Sequence, residues 1–294
     1  MAAAITGACS LRGSFSAFPN RDISLRQIHQ LRCHGLSLRK RRVRVSAGTD
    51  AEDEDLQARI QQADWRAFRA RLVQKSACLD DVPAVAAADA TISADSVTPE
   101  LWAHSIPRPE TGCLVIANPT EFSVHQQYFN QAVIFLFAHT IEGSAGLILN
   151  RPTEYNLGQL AGFEELLPDF ANCALYMGGD VGVNALHVVH GVQGLEDSVE
   201  IIPGVYMGGL KAMKESVQRG ESKPEQYRWF ARYAGWGPGQ LEREVSHGVW
   251  YLASCSKDII MKPCLNLPKP LWREVLEYMG NPYIDISRRT YGEI

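Results

Sequence analysis

The sequence predicts an α+β fold, a mixed β-sheet domain with packed helices, and three observations carry that reading. From Leu101 onward, short apolar runs are separated by Gly and Pro. Strand-like and helix-like patterns mix without the regular βαβ alternation of a doubly wound sheet. The most apolar stretch, Ala132 to Ala138, is too short to span a bilayer, so no membrane insertion is expected. A basic presequence, expected to be disordered, and an amphipathic helix precede this domain. The resulting organisation is 1–45, 46–100 and 101–294.

Residues 1–45 contain eight Arg and Lys40 against one acid, Asp22, a net charge of +8. Taking these from the chain's 29 basic and 33 acidic residues leaves 20 and 32, so residues 46–294 carry −12 although the whole chain carries only −4. The first segment is rich in Ser and Arg and lacks a compact apolar core, which is the composition of an organellar transit peptide. Ser46, Ala47 and Gly48 supply small residues suited to processing. The expected location is the chloroplast stroma rather than the mitochondrion; the alternative for the segment is a disordered basic tail or nucleic-acid arm. Too little apolar surface is present in 1–45 to offset the entropy of ordering it against the body.

The acids Asp50, Glu52, Asp53, Glu54 and Asp55 suit the positive end of a helix. Leu56, Ile60, Ala63 and Ala67 follow at helical spacing, with Trp65, Phe68 and Leu72 as a neighbouring stripe that is expected to dock on the body. Residues 80–100 are small and polar and read as a linker. Within the domain, Cys113–Ala117 and Ala132–Ala138 read as strands. The second is continuous enough in apolar character to need cover on both faces, which predicts a central position. Glu142-Gly143-Ser144 then turns the chain into Gly146–Leu149, a hairpin. Leu175–Met177, Ala185–Val189, Val199–Ile202 and Trp250–Ala253 are further strands. Helices are expected at Gly209–Gln218, Gln240–Ser246 and Leu271–Met279. Of the seven cysteines, Cys78, Cys113, Cys173, Cys255 and Cys264 lie beyond the presequence, widely spaced and without a CxxC. They read as reduced, mostly buried thiols; neither a metal nor a cofactor is implied.

Four motifs stand out: His139 through Pro152, Met177-Gly178-Gly179-Asp180-Val181, Leu186 through Gly191, and Tyr233 through Glu242. Together, over about Thr111 to Ala253, they resemble the AlgH/YqgE family of uncharacterised proteins. That resemblance implies the fold, and a group of small bacterial cytosolic proteins with plastid relatives, labelled transcriptional regulators without an established activity. Bacterial members usually carry Pro after the double glycine, where this chain has Asp180, so a role for Gly178 and Gly179 is carried over with that departure.

The residues themselves offer a set of binding candidates. Pro152 cannot continue a central ladder, so the chain turns there and presents Asn150 and Arg151 at the end of the sheet. Arg151 has the fork for a phosphate or carboxylate, or else pairs with a structural acid. Gly235 to Gly239 enters a helix with Pro238 in its first turn and Gln240 and Glu242 beyond; its free amides suit an anion, or the segment is a tight turn with Trp236 as a plug. His139 and Asn150 flank one hairpin and are placed near its open end. The site hypothesis is that at least three of His139, Asn150, Arg151, Gly179 and Gln240 line one concavity, with Gly178 and Trp236 beside it. The competing reading has each motif as a separate turn.

No catalytic residue is assigned. Cys255 and the histidines His139, His187, His190 and His247 have the right chemistry for nucleophile and base, but no GxSxG elbow or cysteine-hydrolase context accompanies them. His187 and His190, three apart on a strand, point to opposite faces and suit no shared metal. The leading expectation is a non-catalytic regulatory or scaffolding protein of the stroma that binds a protein partner or a small anionic ligand. The alternatives are a stromal hydrolase or transferase using Cys255 or a histidine, and a transcriptional regulator. Direct nucleic-acid binding is opposed by the charge of −12 over residues 46–294, although Arg228 and Arg232 offer a possible basic patch.

Overall fold

The structure is a computed structural model, and it describes Arg66, Phe68–Ala70, Leu72, Val73, 101–122, 128–163 and 167–294. Residues 1–45, read as a presequence, the acidic run at 50–55, residues 80–100, read as a linker, and Cys78 lie outside the described residues.

Eleven strands form one sheet: β1 (Ala103–Ser105), β2 (Leu114–Ala117), β3 (Val133–Thr140), β4 (Gly143–Ile148), β5 (Pro152–Asn156), β6 (Ala174–Met177), β7 (Val181–His190), β8 (Ser198–Ile202), β9 (Val205–Gly208), β10 (Tyr227–Trp236) and β11 (Trp250–Cys255). Among the described residues from 101 onward, the α-helices are α1 (Leu210–Gln218), α2 (Gln240–Ser246), α3 (Lys257–Met261), α4 (Leu271–Met279) and α5 (Tyr283–Thr290). Strands run in the order β1-β11-β2-β3-β4-β10-β7-β9-β8, with β5 and β6 branching from β10. The parallel pairing of β10 with β6 among antiparallel neighbours makes the sheet mixed.

As its unbroken apolar run requires, β3 lies inside the sheet between β2 and β4, with Val133, Ile134, Phe135, Leu136 and Phe137 all buried. Pro152 opens β5, a position where its missing N–H breaks no ladder. The helices at 240–246 and 271–279 match their expected bounds, and α1 starts one residue later than expected, at Leu210.

The strand that organises the sheet, β10, is the one its sequence concealed. Its first half lies between β7 and β6, and its last three residues, Ala234–Trp236, pair with β4. The changeover occurs at Arg232, a bulge residue with φ of 64°. Gly235 and Trp236 are therefore strand residues, a correction to the glycine loop read there. Two cores result. One gathers β2, β3, β4, β11 and Leu241 of α2 around Trp236 and Trp250. The other packs Met213 of α1 against Leu175, Val188, Tyr227 and Trp229.

The helical residues near 66–73 are turned differently from the predicted stripe. Arg66 and Ala70 face inward, while Phe68 and Leu72 are about half exposed, at 50% and 49%. The Arg66 guanidinium donates to the carbonyl of Gly112 at 2.8 Å, and Ala70 is small enough to let the backbone approach. Of the described residues here, Arg66 and Ala70 face the body, and Arg69 is exposed and donates to Glu110 at 2.9 Å.

Candidate functional site

The predicted residues fall into two groups at opposite ends of the β3–β4 hairpin. Register decides this: His139 pairs with Ser144 next to the turn, whereas Ile134 pairs with Ile148 near the open end. His139 is thus at the closed end and not beside Asn150, a correction that follows from turn position and strand length.

At the closed end, His139 Nδ1 lies 2.8 Å from Ser144 Oγ, and its Nε2 lies 3.7 Å from the Glu242 carboxylate on α2. The row of hydroxyl, imidazole and carboxylate has the residue types of a nucleophile and its base, but Ser144 is buried as His139's cross-strand partner. Gln240 closes the turn into α2: its Oε1 accepts from the Gly237 N–H at 3.0 Å, and its Nε2 donates to Glu244 at 2.8 Å. Glu244 also accepts from the indoles of Trp236 at 3.0 Å and Trp250 at 2.7 Å. Two buried indole N–H groups are satisfied by one carboxylate, which fixes α2 against β10 and β11. Gly239 at φ 64° caps the helix.

At the other end, Asn150 Oδ1 accepts from the Val133 N–H at 3.0 Å, and its Nδ2 donates to the Gln131 carbonyl at 2.9 Å. Each of the three nitrogens of Arg151 donates to a backbone carbonyl, those of Tyr128, Asn130 and Asn150. This guanidinium secures the turn before β3, which is neither the acid pair nor the anion contact expected of it. The Tyr128 hydroxyl in turn donates to the Gly179 carbonyl at 2.7 Å. Burial and the Asp180 carboxylate push that phenol up to about 12. Gly178 bridges strands, its N–H donating to Ala231 and its carbonyl accepting from Ile148. A Cβ on Gly179 would stand 1.7 Å from the carbonyl carbon of Tyr233, so only glycine lets these backbones meet.

Asn150, Arg151 and Gly179 are therefore joined through Tyr128, while His139, Trp236 and Gln240 are joined through α2. Tyr128, Ser144, Glu244 and Trp250 complete them and were not singled out by sequence; the only signal was the i, i+4 spacing of Gln240 and Glu244.

Of the nucleophile and base candidates, Cys255 and His190 are buried and His187 is packed between rings, whereas His247 is exposed. Cys255 is 1% exposed, and burial pushes its thiol up to about 12. Burial draws His187, packed between Phe137 and Tyr233, down to about 4. Among the described residues no cluster of three or more His, Cys, Asp or Glu side chains is placed to hold a metal, and no helix is long and apolar enough to cross a membrane. Arg228 is 5% exposed, stacked on Tyr176 and Phe230, with its guanidinium donating to the carbonyls of Leu149 and Ile260. It therefore offers no basic patch.

A sequence profile of the AlgH-like family DUF179 matches residues 114–284. A UPF0301 protein of Pelodictyon phaeoclathratiforme is 37% identical over 158 residues, covering 53% of this chain and 80% of that protein. A UPF0301 protein of Chlorobaculum tepidum is 38% identical over 163 residues, covering 54% and 82%. Among solved structures, a protein from Corynebacterium diphtheriae is similar with a TM-score of 0.50 and 23% identity, over 62% of this chain and 93% of that one. The last is a likeness of fold.

Proposed function

The chain belongs to the AlgH-like DUF179 family, and from that premise we propose that it is a non-catalytic regulatory or scaffolding protein of the chloroplast stroma that acts by binding. Its ligand is a protein partner or a small anion. The observation that supports this reading is the state of Cys255: the thiol is buried, pushed up to about 12, and no imidazole hydrogen-bonds to it among the described residues. An attacking thiolate needs the opposite, a lowered pKa and access. The stromal location is supported by the composition of residues 1–45, and the net charge of −12 beyond them weighs against DNA as the target.

The test is import of the full chain into isolated chloroplasts, followed by affinity purification from the stroma and mass spectrometry of what is retained. Processing near Ser46 to Gly48 with a reproducible retained partner or metabolite is the expected result. A chain that stays outside the organelle refutes the location, and salt-dependent, sequence-specific DNA retention refutes the binding class.

A further inference from the structure

We propose that the helical segment at 66–73 is a lid over a cavity in the domain, closed in this structure and able to swing away while the rest of the fold stays intact. The cavity has a volume of about 180 Å³ and lies between β11, α3 and the β8–β9 turn. Trp102, Ile202, Pro203 and the run from Cys255 to Asp258 form its walls, and Arg66 is the lining residue that the segment contributes.

The walls are held by bonds of their own. The Ser256 N–H donates to the Trp102 carbonyl at 3.0 Å, and the Trp102 N–H donates to Ser256 Oγ at 3.4 Å. Across the β8–β9 turn, the Glu200 carboxylate accepts from the Gly204 N–H at 3.0 Å. None of these bonds involves residues 66–73, so the cavity keeps its walls when the segment leaves.

The lid is seated by polar contacts. Arg66 Nη2 donates to the carbonyls of Gly112 at 2.8 Å and Cys255 at 3.5 Å. Gly112, at φ 88°, forms the seat: an added Cβ would stand 2.1 Å from Ile202 Cγ2 and 2.7 Å from Arg66 Nη1, so a larger residue would push the arginine out. Arg69 and Glu110 pair at 2.9 Å with side chains 45% and 38% exposed, a contact that water and salt weaken. Among the described residues of the segment, Ala70 is the only apolar one that is buried. A segment that buries so little apolar surface, with an unfilled cavity beneath it, opens locally at a free energy well short of global unfolding.

The segment precedes residues 114–284, which the family profile matches, whereas Cys255 to Asp258 lie within them; the lid therefore governs access to the shared domain from outside it. Control of access goes beyond the reading of the chain as a binding protein and does not depend on the ligand, so its failure leaves that reading standing.

The test uses two thiols of the full chain at pH 8, alkylated with iodoacetamide. Cys255 lines the cavity and is 1% exposed, so its rate reports the lid. Cys264, buried beside Arg228 and outside the lining, reports general loosening of the fold. Amide exchange at Phe68, Arg69 and Ala70 is expected to be about a hundredfold or more faster than at Leu252, Ala253 and Ser254. Arg66→Ala is expected to speed alkylation of Cys255 about tenfold or more. Because that truncation also enlarges the cavity, Arg69→Glu, outside the lining, is the deciding variant. Repulsion from Glu110 is expected to raise the Cys255 rate about threefold, and the double variant Arg69→Glu, Glu110→Arg to restore the parent's rate, with Cys264 unchanged throughout. A Cys255 rate that is unchanged in Arg69→Glu, or that rises only in step with Cys264, overturns the lid.

Discussion

Replacing Gly179 by alanine places a methyl group where no space exists. The added Cβ would lie 1.7 Å from the Tyr233 carbonyl carbon, 1.9 Å from its oxygen and 2.1 Å from the Ala234 nitrogen. All three are backbone atoms of β10, so relief requires the strands to part. Three hydrogen bonds cross that junction: Gly178 N–H to Ala231 at 2.7 Å, Ile148 N–H to Gly178 at 2.8 Å, and Tyr128 Oη–H to Gly179 at 2.7 Å. At about 1 kcal/mol each, their weakening accounts for about 3 kcal/mol. Overpacking strain adds about 1–3 kcal/mol, so a destabilisation of about 4 kcal/mol or more is expected. Urea unfolding followed by tryptophan fluorescence measures it, with Gly191→Ala as control, where the nearest atom to an added Cβ is 3.6 Å away. The control should stay within about 0.5 kcal/mol of the parent. A Gly179→Ala protein that loses less than about 1 kcal/mol with an unchanged m-value would refute the steric argument.

Glu244→Ala should cost about 2–4 kcal/mol, because the indoles of Trp236 and Trp250 lose their shared acceptor; near-ultraviolet circular dichroism and urea unfolding would report it, and a neutral result contradicts the role. Arg151→Lys should destabilise by about 1–3 kcal/mol and speed hydrogen exchange at 128–133, since one ammonium cannot serve three carbonyls; unchanged exchange counts against the clamp. The folded-state pKa of His187 lies at about 4, below the usual 6.5, so the unfolded chain binds the proton first and stability falls as pH drops from about 6.5 towards 4. The loss is about 3 kcal/mol at most. His104 and His190, also lowered by burial, act in the same direction, so His187→Phe should flatten only part of the pH dependence of the urea midpoint. Cys255 should resist iodoacetamide in the native protein at pH 8 and react on unfolding, and rapid native alkylation would refute its burial.

The parts of the fold legible in the sequence were those with strong local signals. The apolar run at 132–138 required a covered strand, and the helical spacing of 240–246 and 271–279 fixed two helices to the residue. β10 was hidden because Arg228 and Arg232 interrupt its aromatic residues, and because Gly235 suggests a turn that the chain makes only after Trp236. Long-range register, not residue type, put His139 at the closed end of the hairpin. Burial of Arg228 was equally out of reach, since its partners Leu149 and Ile260 are main-chain carbonyls from distant segments. Asn150 and Arg151 read as binding candidates because Pro152 places them at the end of the sheet, whereas their contacts hold the 128–133 turn, which residue type does not reveal. Arg66 gave no warning at all, because an arginine in an amphipathic helix normally faces water.

The central claim is that this chain binds without chemical turnover. The purified protein, incubated with stromal metabolite extract and followed over time by mass spectrometry, tests it most directly. The account predicts metabolite levels that track a heat-inactivated control, with one or more anions recovered on the protein after gel filtration. Steady consumption of any metabolite that is lost in Cys255→Ala or His139→Ala would contradict it.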